Sequence, residues 1–196
     1  MTTGTRVGAR GLTMRPIAET DAPLLRELFD RMSPESRYYR FHSPVQKVSD
    51  RWLEHLTHVD HCAREALIAF VDGKIVGVAR YAAMPDDPTT AELAIVVADA
   101  WQRRGIATAL LRALGTMAAA RGVARWTGSV IAENRAVVAL VDTLTDDVDW
   151  GWEDGRRRVS FELGRPARRG RDAVPCDARS VPAGRVSPWR PSPRST

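Results

Sequence analysis

The stretch WQRRGIATALL (101–111) joins an apolar run, AELAIVVAD, to a long helical pattern. Helix starts normally carry a Ser, Thr, Asp or Asn cap and acidic residues in the first turn. Here the turn holds Gln102, Arg103, Arg104 and Gly105. Each cation at the positive end of a helix dipole costs about 0.3–1 kcal/mol at an exposed site. An anion site removes the contradiction, because the unsatisfied N–H groups and the dipole both favour negative charge there. Gly105 permits close backbone approach, and Ala107 keeps the next turn small. The competing reading makes both arginines solvated surface charges, as charge runs commonly are. Neither G-x-x-x-x-G-K-[ST] nor G-x-G-x-x-G after a strand occurs, which excludes a nucleoside-triphosphate P-loop and a dinucleotide fold.

Three other groups have chemical potential. Glu92 opens an otherwise apolar run, with Ala94 and Val96 on its own strand face, which is an unusual place for an acid. The competing reading is a strand-end carboxylate in water. Asn134 precedes a helical pattern and suits an N-cap. His55, His58, His61 and Cys62 form H-x-x-H-x-x-H-C, but helical i, i+3, i+6 positions drift around the axis by about 60° per step. No carboxylate is evident to converge with them, so no metal is expected. RYYRF (37–41) is read either as a peptide-docking surface or as an apolar helix face.

The elements that must position these groups follow from pattern. Residues 12–17 read as a strand, and Thr20 or Asp21 can cap a helix through 21–32. Ser33-Pro34 restarts a short helix over 33–44, and 49–59 is amphipathic. Residues 66–81 read as two strands around Asp72-Gly73, a hairpin signal, and 84–90 as a loop. Residues 92–98 are apolar on both faces and so are expected at the centre of a sheet. A helix over 105–121 carries Ile106, Leu110, Leu114, Met117 and Ala118 as its stripe, and Gly122 ends it. A strand (125–132), a helix (136–144) and a hairpin around Glu153-Asp154-Gly155 complete the order β-α-α-α-β-β-β-α-β-α-β-β. This predicts an α/β fold with a mixed sheet.

Composition bounds the rest. The 196 residues, 44% hydrophobic and 27% charged, suit one domain with its own core. No apolar run reaches the ~18 residues of a membrane span, and 1–11 reads as a flexible N-terminus without a signal peptide. Residues 165–196 hold eight Arg, two Asp and six Pro, and read as a disordered basic tail. The chain's +5 less the tail's +6 leaves −1 for the remainder, so nucleic-acid binding is not expected of the folded part. With Cys62 and Cys176 the only cysteines, no disulfide framework is expected and a cytoplasmic location is the default.

Gln102-Arg103-Arg104-Gly105-Ile106-Ala107 resembles the Q/R-x-x-G-x-G/A pyrophosphate loop of the GNAT-type N-acetyltransferases. The resemblance extends over about 12–164, through the strand order and the later Glu133-Asn134 before a helix. SPESRYYRFHSP (33–44) and LTHVD look like the acetyltransferase domain of bacterial Pat-like protein-lysine acetyltransferases. The resemblance implies a GNAT-like, mostly antiparallel sheet flanked by helices and acetyl-coenzyme A as acyl donor. It implies that Ile95, Val96 and Val97 line the pantetheine arm, with the Val97 N–H facing the acetyl carbonyl. By the same likeness, residues 102–108, from Gln102 to Thr108, hold the diphosphate, and Asn134 contacts the pantetheine amides. Glu92 stands where such lysine acetyltransferases place their general base. Many members carry a Tyr seven residues after the Asn; here that position is Val141, so the thiolate leaves unassisted or takes its proton from water. Tyr81 is a remote candidate for that role, with packing as its competing reading.

The function so read is acetyl-coenzyme A-dependent N-acetylation of a protein lysine. A small-molecule amine as acceptor, or a non-catalytic acyl-coenzyme A-binding sensor, are the alternatives.

Overall fold

The computed structural model describes residues 11–153 and 156–162. The expected tail (165–196) and nearly all of the expected N-terminal arm lie outside the described residues, as does most of the last hairpin's turn.

Alternating apolar residues make β1 (Leu12–Pro16) a strand whose Leu12 and Met14 face the core. A 3-10 turn at Glu19–Asp21 leads into α1 (Ala22–Asp30), which buries Leu25, Leu28 and Phe29. Asp21 occupies the cap position as expected but makes no cap bond. Its carboxylate takes both Arg15 guanidinium nitrogens at 2.6 and 2.7 Å and the Ala18 N–H at 2.7 Å. A bidentate charged partner outcompetes a helix amide for the same oxygens. Helix α2 (Pro34–Phe41) starts on the cap Ser33, whose hydroxyl accepts from the Ser36 N–H at 3.1 Å. Helix α3 (Asp50–Thr57) is capped by Ser49 in the same way. Phe29, Phe41 and Trp52 bring α1, α2 and α3 together, their ring centroids 5.2–5.8 Å apart.

β2 (Arg64–Val71) and β3 (Lys74–Ala83) pair antiparallel around Asp72-Gly73. Both turn residues have positive φ, the conformation that an Asp-Gly hairpin turn requires. β4 (Thr90–Val97), α4 (Ile106–Ala120), β5 (Arg125–Val130), α5 (Arg135–Asp142), β6 (Val148–Glu153) and β7 (Arg156–Glu162) follow. The sheet order is β1-β2-β3-β4-β5-β7-β6, with β4–β5 the one parallel pair among antiparallel neighbours. The fold is thus α/β, a mixed, mostly antiparallel sheet flanked by helices in the expected order, with β4 at its centre.

Strand alternation gives the sheet two cores. Leu25, Leu28, Leu53 and Leu56 from α1 and α3 pack on Ile68, Val78 and Val96. On the other face Ile106, Leu110, Leu111 and Leu114 of α4 and Val141 of α5 pack with Ala79, Trp126 and Val159. Helix α4 shows why the helical stripe is legible: its buried residues recur every three to four positions.

Cys62, expected to be outside any disulfide framework, is disulfide-bonded. Composition can suggest a redox compartment but not which sulfurs are brought together.

Candidate active site

The site begins where two strands part. The parallel β4–β5 ladder pairs Thr90 with Arg125, Ala91 with Trp126 and Glu92 with Thr127, and stops there. Beyond Glu92, β4 runs on to Val97 and β5 to Val130 as a wedge. Ala98 donates its N–H to the Val76 carbonyl of β3 at 2.9 Å. Antiparallel alternation therefore turns the N–H groups of Val97, Ile95 and Leu93 the other way, into the wedge. A strand edge with outward amides is what an extended amide-bearing ligand can pair with.

The wedge opens into a cleft of about 690 Å³. Glu92, Ile95, Val96, Val97, Gln102, Arg103, Gly105, Ile106, Ala107, Thr108 and Asn134 all line it. Arg104 does not; its guanidinium stacks on the Trp101 ring, 4.7 Å from the centroid. The two arginines of the loop thus point to different surroundings.

Backbone geometry shapes the loop. Arg103 has φ +60° and Gly105 φ +78°, and Gly105 is the residue before the first turn of α4, with no side-chain cap. Successive left-handed and helical residues aim N–H groups into one concavity. The first turn of α4 adds its unsatisfied amides, so the cleft end carries positive potential before Arg103 is counted. A polyanion fits there.

At the other wall Asn134 caps α5, its side-chain oxygen accepting from the Val137 N–H at 3.2 Å. Val141 is 4% exposed, packed in the core, and lines the cleft. Tyr81 is fully buried, donates to the Cys62 carbonyl at 3.0 Å and is not among the cleft residues.

Glu92 faces the α1–α3 side of the sheet with Ala94 and Val96. On β3, register places Arg80 on that same face, opposite Ala94. Arg80 is 2% exposed and donates to the Leu56 carbonyl at 3.0 Å. Burial, and then the nearby Arg40 cation, pull its pKa down to about 9. From α2, Glu35, Ser36, Tyr39 and Arg40 also line the cleft, as does Glu133. The neighbouring Glu35 carboxylate raises the Tyr39 pKa, with desolvation and Glu133 adding to the effect. Of RYYRF, Phe41 is core, as the apolar-face reading expects, while Tyr38 is 46% exposed and Tyr39 lines the cleft.

Sequence reasoning missed Glu35, Ser36, Arg80 and Asp99. Asp99 had a signal in its position three residues before the Gln-Arg-Arg-Gly turn; Arg80 had none beyond a charge inside an apolar strand. The histidines diverge: His58 Nδ1 lies 2.9 Å from the Glu54 carbonyl, and His61 Nδ1 2.8 Å from a buried Glu65 oxygen. Among the described residues no group of three metal-ligating side chains converges.

A splayed parallel strand pair, an amide-lined wedge and a glycine turn at a helix start suit a long, extended, anionic ligand. The sequence profile described as the acetyltransferase (GNAT) family matches residues 25–144. The chain belongs to that family, and is an acetyl-coenzyme A-dependent N-acetyltransferase of its type. It is 32% identical over 139 residues to acetyltransferase PA5475 of Pseudomonas aeruginosa, covering 69% of this chain and 74% of that one. It is 31% identical over 133 residues to acetyltransferase Pat of Mycolicibacterium smegmatis, covering 67% of this chain but 40% of that longer protein. The crystal structure of the GNAT domain of S. lividans PAT superposes with a TM-score of 0.71 at 32% identity, over 78% of this chain and 90% of that one.

Proposed function

We propose that the chain transfers the acetyl group of acetyl-coenzyme A to the side-chain amine of a protein lysine, with Glu92 as general base. The observation that carries this reading is the position of Glu92. It is the last residue of β4 paired with β5, so its carboxylate stands where the wedge opens, in a cleft that α2 also lines. A lysine ammonium, with a pKa of ~10.4, must lose a proton before it can attack. Glu92 accepts that proton, directly or through water. The amine nitrogen then bonds to the acetyl carbon, and the Val97 N–H stabilises the oxyanion. Collapse breaks the carbon–sulfur bond, the second proton of the attacking nitrogen passes to solvent, and the thiolate leaves, to be protonated in turn. Glu35 and Glu133 in the cleft lining suit a cationic acceptor, and the resemblance of 33–44 and LTHVD to Pat-like protein-lysine acetyltransferases favours a protein as its carrier.

On this reading residues 102–108 hold the diphosphate, Ile95–Val97 and Asn134 hold the pantetheine arm, and residues 12–164 are the catalytic unit. The cleft lining falls entirely between residues 35 and 161, which supports that boundary. No helix among the described residues is long and apolar enough to cross a membrane. A cytoplasmic location no longer draws on cysteine usage, since Cys62 is disulfide-bonded; it rests on the intracellular supply of acetyl-coenzyme A.

The test incubates the full chain and acetyl-coenzyme A with a panel of lysine-containing proteins and small amines, following thiol release and acceptor mass. Acetylation on protein lysine is the expected result. Acetylation of a small amine alone would move the acceptor assignment, and coenzyme binding with no transfer to any acceptor would favour the sensor alternative.

A further inference from the structure

Asp99 stands between the end of β4 and the Gln-Arg-Arg-Gly loop, 66 residues from the helix it touches. Its Oδ2 accepts from the Ser33 N–H at 2.9 Å, and its Oδ1 accepts from the Ser33 hydroxyl at 2.9 Å and the Ser36 hydroxyl at 2.6 Å. Burial alone would raise this carboxyl; the Ser36 and Ser33 donors outweigh it and hold the pKa below its usual value. The chain of bonds continues into the loop. Gln102 Nε2 donates to the Ser36 oxygen at 3.3 Å and to the Val97 carbonyl at 3.2 Å. The Gln102 N–H itself donates to the Asp99 carbonyl at 3.2 Å.

Each group in this chain has one direction in which to donate. Gln102 donates to Ser36, Ser36 to Asp99, and Ser33 to Asp99, while the Ser33 oxygen caps α2. The carboxylate also places negative charge at the positive end of α2, where it is favourable. Helix α2 carries Glu35, Tyr39 and Arg40 on the acceptor wall, and Gln102 opens the loop facing the anion nest. The hydrogen bonds therefore bridge the two halves of the cleft, and the Val97 carbonyl that Gln102 holds belongs to the residue whose N–H faces the wedge.

We propose that Asp99 is a positioning residue that ties helix α2 to the coenzyme loop, so that ordering the loop with coenzyme A also orders the acceptor wall. The proposal rests on the reading that residues 102–108 hold the coenzyme diphosphate. Charge-assisted bonds from Ser33 and Ser36 make Asp99 the centre of the link.

The experiment is hydrogen–deuterium exchange of the full chain with and without saturating coenzyme A, after calorimetry has fixed the Kd for each variant. In the wild type, amides of α2 should exchange at least about fivefold slower with the coenzyme, the low end of ordinary coupling between sites. In Asp99→Ala the slowing in α2 should fall below about twofold while the slowing in 102–108 persists. Ser36→Ala removes only the hydroxyl between Asp99 and Gln102 and should show the same loss, which covers the case of a poorly folded Asp99→Ala. Slowing of α2 that survives in both variants is direct ligand contact and overturns the proposal. Unchanged α2 exchange in a wild type that calorimetry shows to be loaded also overturns it. Failure of the folded wild type to bind coenzyme A is a different result: it removes the coenzyme-loop reading, and the proposal with it.

Discussion

On the proposed reading, Glu92 and the loop arginines are where single side chains decide chemistry. Glu92→Gln keeps the shape of the side chain and removes the proton acceptor. Transfer to a lysine acceptor should fall by about 10²–10⁴-fold, the usual contribution of a general base, while calorimetric affinity for acetyl-coenzyme A stays close to wild type. Equal turnover by mutant and wild type would remove Glu92 from the mechanism. Arg103 and Arg104 make a second comparison, because neighbours in sequence have different surroundings. Arg103 lines the cleft, whereas Arg104 does not and stacks on Trp101, itself a lining residue. Charge reversal at Arg103 should therefore weaken coenzyme binding more than reversal at Arg104, and the difference should shrink as salt screens the field. Titration of both variants at low and high ionic strength checks this.

Among the elements, α5 shows how a small helix forms part of the site. Its eight residues are too few for stability in isolation, so its start depends on the cap and its burial on Val141. Asn134→Ala removes the bond to the Val137 N–H and should cost about 0.5–2 kcal/mol, read as a lowered thermal midpoint. Asn134→Asp retains an oxygen acceptor at the helix start and should recover most of that stability. If the two variants bind coenzyme A equally, the residue acts only as a cap. If the Asp variant is stable but binds poorly, the side-chain amide itself contacts the ligand.

For the whole molecule, electrostatics sets the acid limit. Burial alone would raise the Asp21 carboxyl, yet the Arg15 pair and the Ala18 N–H outweigh it and hold the pKa below its ordinary value. Asp60 is held low against burial in the same way, chiefly by the Arg64 and Cys62 N–H groups. A folded-state pKa below the unfolded value contributes stability that is full above about pH 4 and is lost as pH falls through the folded value. The protein should thus lose stability steeply below about pH 4. Asp21→Asn should be less stable than wild type at neutral pH, with the two converging in acid. Denaturant midpoints measured from pH 7 downward test the sign, and a constant gap across that range would refute it.

Local pattern was enough for the order and kind of every α-helix and strand, because helix stripes, the Asp72-Gly73 turn, the Ser33 and Asn134 caps and the Gly105 turn each act over a few residues. The 3-10 turns at Glu19–Asp21 and Asp99–Trp101 had no such signal. The same locality made the proposed coenzyme loop readable, since a strand, a glycine turn and a helix start are contiguous in sequence. Tertiary structure alone decided what lies on the other wall. That α2 faces the loop through Asp99, that Arg80 shares the face of Glu92, and that Arg104 turns onto Trp101 depend on how the helices seat on the sheet. The cleft itself exists because β4 and β5 stop pairing after Glu92, and the register of two strands 35 positions apart is a property of the packed sheet, not of either strand. Asp21 shows the same limit in miniature: its position suits a cap, but a guanidinium brought in by β1 takes its oxygens. Propensity ranks the partners within a residue's own turn; packing determines which distant partners reach it.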